Sequence, residues 1–177
     1  MKKTVWIAGS ISGLIVATIM AISMAVYHNN PDMEGSMLLG YAGMLLAFSL
    51  IFVGVKQLRD KHYGGLISFG KAFKAGFFIA LIAATIYVLA WLIIYYGFMP
   101  DYMDRYCDHM IRKAQQNNNP AELKKQLDEM AFYKEYYKNP VFIILFTYAE
   151  ILPVGIIVSL ICALLLKRKS RQIASVS

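Results

Sequence analysis

The class of this chain is decided by where its apolar residues collect. They form four long runs, Val5–Val26, Met37–Val55, Ala75–Phe98 and Val141–Leu166, and none of the four contains a Lys or Arg. About 20 helical residues, each rising 1.5 Å, cross the hydrocarbon of a bilayer. Inside lipid every backbone N–H and C=O needs a partner within the chain, so runs of this length are predicted as α-helices. The expected fold is all-α: one polytopic membrane domain over residues 1–177 with four transmembrane helices, 5–26, 37–55, 75–98 and 141–166.

The first run has a rival reading. Lys2 and Lys3 before it and Ser23-Met24-Ala25 near its end resemble a secretory signal. Signal h-regions span about 7–15 residues, and this run is longer, so retention as a membrane helix is expected.

Two polar segments carry local signals of their own. In the link from Lys56 to Lys74, Gly64-Gly65 predicts a turn and Ser68 an N-cap for the third helix. Lys71 and Lys74 would snorkel beside Phe69 and Phe73, which ordinary interfacial anchoring explains. A lipid-headgroup contact through Lys56, Arg59, Lys71 and Lys74 is the more specific reading. The segment 100–140 reads as a helical hairpin inserted between the third and fourth runs. Pro100, Asp101 and Asp104 mark a helix start, Tyr102, Tyr106 and Met110 recur at four-residue spacing, and Asn117-Asn118-Asn119 breaks the pattern. Asn119-Pro120-Ala121-Glu122 then caps a second helix, with Leu123, Leu127, Met130 and Tyr137 as its apolar stripe. The predicted helices are 101–115 and 120–138, with their stripes facing each other.

Composition and charge sharpen this picture. The chain is 58% hydrophobic and 16% charged, against about 45–50% and about 25% in soluble domains. Basic residues gather in Lys2–Lys3, the 56–74 link and the tail after Leu166, with Asp60 as the one acid among them. The first loop holds only Asp32 and Glu34, and segment 100–140 balances its charges. Positive charge in short loops marks the cytoplasmic face, so both termini are expected inside. Tyr27, Tyr95 and Tyr96 then fall at the outer interface and Trp6 at the inner one. The net charge of +7 thus belongs to the membrane surface and is no nucleic-acid signal.

Small residues recur every fourth position in the first helix, at Gly9, Gly13, Ala17, Ala21 and Ala25. The third helix has a parallel row, Ala72, Gly76, Ala80 and Ala84. Such rows let helix backbones approach closely in lipid, although Gly and Ala are also simply common in membrane helices.

Glu150 is the one formally charged side chain inside the apolar runs, and Pro153 follows three residues later. Counted from Val141 it lies about 14 Å into its run; counted back from Lys167 it lies about 5 Å below the outer boundary. One reading has Glu150 hydrogen-bonded across the bundle to Tyr, Trp, Ser or Thr, fastening a helix kinked at Pro153. The other makes it a proton-linked or cation-binding carboxylate in a transport path. Single ionisable groups are unusual in relays, which favours the structural reading.

His28, Asp32, Glu34, Asp101, Asp104, Cys107, Asp108 and His109 offer metal-ligand types on the outer side, but their spacing matches no zinc pattern. Asp108 and Arg112 are spaced as an ordinary surface pair. No metal, no cofactor and no Cys107–Cys162 disulfide is expected. The chain lacks a phosphate-cradling loop, HExxH, CxxC and a serine elbow, so nothing points to an enzyme.

Several strings together resemble a family of small bacterial membrane proteins, domain-of-unknown-function family 4199, found mainly among the Bacteroidota. They are Gly40-Tyr41, Ile51-Phe52-Val53-Gly54-Val55-Lys56 with Arg59-Asp60, Ser68-Phe69-Gly70 with Ala72-Phe73-Lys74 and Gly76, Asn139-Pro140, and Glu150-x-x-Pro153-Val154-Gly155. The resemblance implies a four-helix bacterial inner-membrane protein and transfers no activity. The expected role is a non-enzymatic accessory or oligomerising subunit that meets a second copy or another membrane protein. The rival is a small transporter or channel component that uses Glu150.

Overall fold

The computed structural model describes residues 2–29, 37–116 and 119–168. Asp32, Glu34, Asn117, Asn118 and the tail beyond Arg168 lie outside the described residues. Among those described, the chain is all-helical. Its helices are α1 (Lys2–Asn29), α2 (Met37–His62), α3 (Phe69–Gly97), α4 (Tyr102–Gln116), α5 (Pro120–Tyr136) and α6 (Pro140–Leu166). Four of them, α1, α2, α3 and α6, are long and apolar enough to cross a membrane. α3 begins six residues before its apolar run because the segment after Ser68 is already helical: the Ala72 N–H donates to the Ser68 carbonyl at 3.0 Å.

The chain divides into two compact units. The first comprises Met1–Val88 and Tyr148–Ser177, and the second Leu89–Thr147. The second unit therefore takes in the end of α3 and the beginning of α6 as well as α4 and α5.

In the first unit α3 is the hub. A Cβ built on Gly9 would lie 2.8 Å from Ile82 Cβ, and one on Gly13 would lie 2.8 Å from Ile86 Cβ. Real Cβ atoms do not approach so closely, so α1 sits against α3 at a distance only glycine permits. Gly54 of α2 gives the same result against Ile79 and Ala8, and Gly155 of α6 against Ala80. Gly76 faces Ser159 and Ile51. Between α1 and α2 the Ser12 hydroxyl, fully buried, donates to the Ala47 carbonyl at 2.7 Å.

These contacts fix helix directions. Gly9 and Gly13 meet Ile82 and Ile86 in ascending order, so α1 and α3 run parallel. Gly54 meets Ala8 whereas Gly43 meets Ile19, so α2 runs against α1. Gly155 meets Ala80 whereas Ser159 meets Gly76, so α6 runs against α3. The start of α1, the α2–α3 link and the end of α6 consequently share one end of this unit. There the Arg168 N–H donates to the Ile67 carbonyl at 2.9 Å, clipping the end of α6 to the link. Gly64 and Gly65 make the turn with φ of +57° and +82°, a region that favours glycine.

In the second unit α4 and α5 pack side by side over Met103, Cys107 and Met130, all buried. Asn119 caps α5, its side chain accepting from the Ala121 and Glu122 N–H groups, with Pro120 in the first turn. The interface follows the predicted stripes in part: Met130 is in its core and Tyr106, Met110 and Tyr137 pack against that core. On α4 the innermost residues are Met103, Cys107 and Ala114, while Tyr102, Tyr106 and Met110 are half-buried beside them. On α5 Leu127 is exposed. The aromatic rings there find one another instead: Trp91 meets Tyr102 edge-on at 5.0 Å, Tyr95 meets Tyr137 at 5.7 Å, and Tyr137 stacks on Phe146 at 6.2 Å. Centroid separations of 4.5–7 Å are those at which ring pairs attract.

Gly13→Ala and Gly155→Ala should each cost about 1–3 kcal/mol, because the neighbour that must give way is a branched core side chain or another Cβ. Gly40 has nothing within 4 Å, and Gly40→Ala should be neutral or stabilising by up to about 1 kcal/mol. Thermal unfolding in detergent distinguishes these outcomes, and equal melting temperatures for all three variants would refute the packing account.

Candidate functional site

The residues of α6 divide by face. Ile143, Thr147, Ile151, Gly155, Ser159, Cys162, Ala163 and Leu166 are buried, at steps of three and four. Leu145, Ala149, Glu150, Pro153, Ile157, Ile161 and Leu164 are exposed on the other side. Glu150 therefore points away from α3, and among the described residues no side chain hydrogen-bonds to it. This corrects the expectation that Glu150 ties the helices together. The tie is made two residues earlier: the Tyr148 and Thr85 hydroxyls lie 2.9 Å apart, joining α6 to α3. Two positions on a helix differ by about 200° in direction, so Tyr148 facing inward sends Glu150 outward.

Pro153 lies inside α6, on the same exposed side. Without an N–H it leaves the Ala149 carbonyl lacking its helical donor. An apolar outer face thus carries two polar groups close together, a carboxyl and a backbone acceptor.

The contact between Tyr148 and Thr85 also fixes the height of Glu150. Thr85 stands about 16 Å of helix beyond Lys74, so Glu150, two residues nearer the basic end, stands about 13 Å beyond it. Counting from Lys167 misleads because α6 overruns: its last turn lies beside the link, where Arg168 is clipped to Ile67.

The small-residue rows are partly used. Gly9 and Gly13 are buried, Ala17 is half-buried, and Ala21 and Ala25 are exposed. A step of four residues advances about 40° beyond a full turn, so a long row leaves the interface. The α3 row, Ala72, Gly76, Ala80 and Ala84, is buried throughout. Its Gly76 and Ala80 meet Ser159 and Gly155 of α6, and the glycines of α1 meet isoleucines, so the two rows do not pair with each other. Ser12, Gly54 and Ser159 escaped the sequence reading; only their small size in otherwise large-residue runs could have flagged them.

At the basic end Lys56, Lys71 and Lys74 are exposed, and Lys71 Nζ sits 5.0 Å from the Tyr63 ring centroid. Arg59 differs from them: its Nε bonds Asp60 at 2.7 Å and its side chain is only 11% exposed.

In the second unit the acids considered as metal ligands are spent on cations. Asp101 pairs with Arg105 at 2.7 Å, and Asp104 and Asp108 both reach Lys134 at 3.2 Å. Asp108 does not pair with Arg112 through its carboxylate, since Arg112 Nε donates to the Asp108 backbone carbonyl. No three His, Cys, Asp or Glu side chains converge among the described residues. Cys107 is a free, fully buried thiol, donating towards Met103 Sδ at 3.6 Å and the Met130 carbonyl at 3.7 Å.

Burial pushes the Cys107 thiol above its ordinary value, and the hydrogen bonds that the Lys134 ammonium donates to Asp108 and Asp104 do the same for that ammonium. Folding therefore favours the protonated form of each. Their stabilisation is complete below the unfolded pKa, about 8.5 for thiol and about 10.4 for ammonium, and is lost as pH rises above it. Thermal stability should fall as pH rises past about 8.5, and Cys107→Ala should make that slope shallower while lowering stability overall. An unchanged slope would contradict the burial argument. Separately, Tyr148→Phe should cost about 0.6 to 1.7 kcal/mol by removing the α3–α6 hydroxyl contact, read from unfolding in detergent.

No curated protein and no solved structure matches the chain. The family described as "Protein of unknown function (DUF4199)" matches residues 8–168, which takes in α2 to α6 entirely and α1 from its seventh residue onward. The chain belongs to that family.

Proposed function

We propose that the protein is a non-enzymatic, oligomerising subunit of the bacterial inner membrane, with both termini cytoplasmic and the α4–α5 hairpin on the outer side. The sharing of one end by Lys2, Lys3, the α2–α3 link and Arg168 supports that orientation, because short basic segments stay inside. The observation that carries the oligomer is Glu150, exposed on the apolar outer face of α6. With Lys74 near one edge of a core about 30 Å thick, a position about 13 Å along is close to mid-membrane. A charged side chain there costs about 2.5–3.5 kcal/mol even on the mildest scale. A neighbouring copy packed on this face removes that cost by supplying hydrogen-bond partners to Glu150 and to the Ala149 carbonyl.

A transport role remains the alternative, and the same geometry constrains it. Glu150 points away from the packed interior of its own chain, so any path that uses it runs between copies.

The purified protein should form a discrete oligomer by light scattering in mild detergent. Glu150→Leu should weaken association roughly 3- to 20-fold, the equivalent of about 0.6–1.7 kcal/mol, while Glu150→Gln, which still hydrogen-bonds, should largely retain it. A cysteine at Ile157 should cross-link between copies and one at Phe78 should not. Monomers throughout, in detergent and in nanodiscs, would sink the proposal. Loss of proton or cation flux in an intact Glu150→Gln oligomer would establish the transport alternative.

A further inference from the structure

We infer that the basic end of the first unit binds one anionic phospholipid, its phosphate held by Lys71 of α3 and Lys167 and Arg168 at the end of α6. The inference does not rest on the oligomer. The bond from the Arg168 N–H to the Ile67 carbonyl lays the end of α6 across the link, so cations from two distant stretches of sequence meet at one edge. Asp60 is the one acid among the described residues of this end; it bonds Arg59 at 2.7 Å and its charge also reaches Lys56 and Arg168. One carboxylate shared among Arg59, Lys56 and Arg168 leaves this end with an excess of cations, and an anion from outside the chain can balance it. Lys71 is held over the Tyr63 ring, close to the Gly64–Gly65 turn, where neither glycine has a neighbour within 4 Å of its built Cβ. That turn is open space beside fixed positive charge. Leu66 and Phe69, 44% and 38% exposed, flank it and offer apolar cover to acyl chains. A free phosphate has no use for those two side chains, which is why an intact lipid fits better than its headgroup alone. Arg59, grouped with the lysines on sequence grounds, is excluded from the site by its bond to Asp60.

The test is native mass spectrometry of the full-length protein released from vesicles of equal phosphatidylglycerol and phosphatidylcholine. One phosphatidylglycerol should stay bound in preference to phosphatidylcholine. Lys71→Gln with Arg168→Gln should weaken its retention roughly tenfold to thirtyfold. Lys124→Gln with Lys125→Gln, on exposed positions of α5, should leave it unchanged. Soluble glycerophosphoglycerol at millimolar concentration should fail to displace the lipid. Equal retention of the two lipids, undiminished binding in the first variant, equal loss in the α5 variant, or full displacement by the soluble headgroup would each overturn the inference. Circular dichroism of both variants verifies that the helices are intact.

Discussion

Helices in lipid gain little from hiding apolar surface from one another, because the surrounding tails are as apolar as leucine. What holds them is dispersion between surfaces that fit, and dispersion fades within a fraction of an ångström of separation. In this protein that constraint is met at α3. Gly9 and Gly13 let α1 seat on Ile82 and Ile86, Gly54 lets α2 reach Ile79, and Gly155 lets α6 meet Ala80. A Cβ at any of these sites would come within 3.0 Å of a side-chain carbon. The helix directions, the shared basic end and the facing of α6 all follow from these contacts.

The polar bonds are secondary to that fit but share its logic. Ser12 to Ala47 and Thr85 to Tyr148 each join two helices through a hydroxyl small enough to sit at a close contact or placed at its rim. Thr147 and Ser159 instead satisfy themselves on carbonyls four residues back in α6, at 2.7 Å each, and so do not disturb the buried face. Once Tyr148, Ile151 and Gly155 are turned toward α3, helical geometry leaves Glu150 no inward position. An acid that selection or chance could have hidden is instead presented to the outside, beside the proline that frees a carbonyl.

The second unit works by different physics. Its α4 and α5 close over a small core of sulfur and aromatic side chains, with Cys107 fully enclosed and Lys134 bridging two aspartates of α4. Aromatic pairs such as Trp91–Tyr102 and Tyr137–Phe146 involve residues that the hydropathy pattern assigns to membrane runs at both ends of the segment. For that reason the compact unit begins at Leu89 and ends at Thr147, inside the apolar runs rather than at their edges.

The sequence by itself determined the helical class, the four long apolar helices, the Asn119 cap, the Gly64–Gly65 turn and the family. Each depends on local chemistry or on run length, which neighbours in space do not alter. It located Gly9, Gly13, Gly76 and Ala80 as close-contact residues but left their partners open, since a row of small side chains shows where a backbone can be approached and not by what. Only the tertiary structure decided that Leu127 is exposed, that Asp108 serves Lys134, that Arg59 is consumed by Asp60, and that Glu150 faces outward at the height of mid-helix. These are questions of rotation and register between helices. A helix this uniformly apolar has almost no preferred side of its own, so its facing is set by the few ångströms of fit against α3.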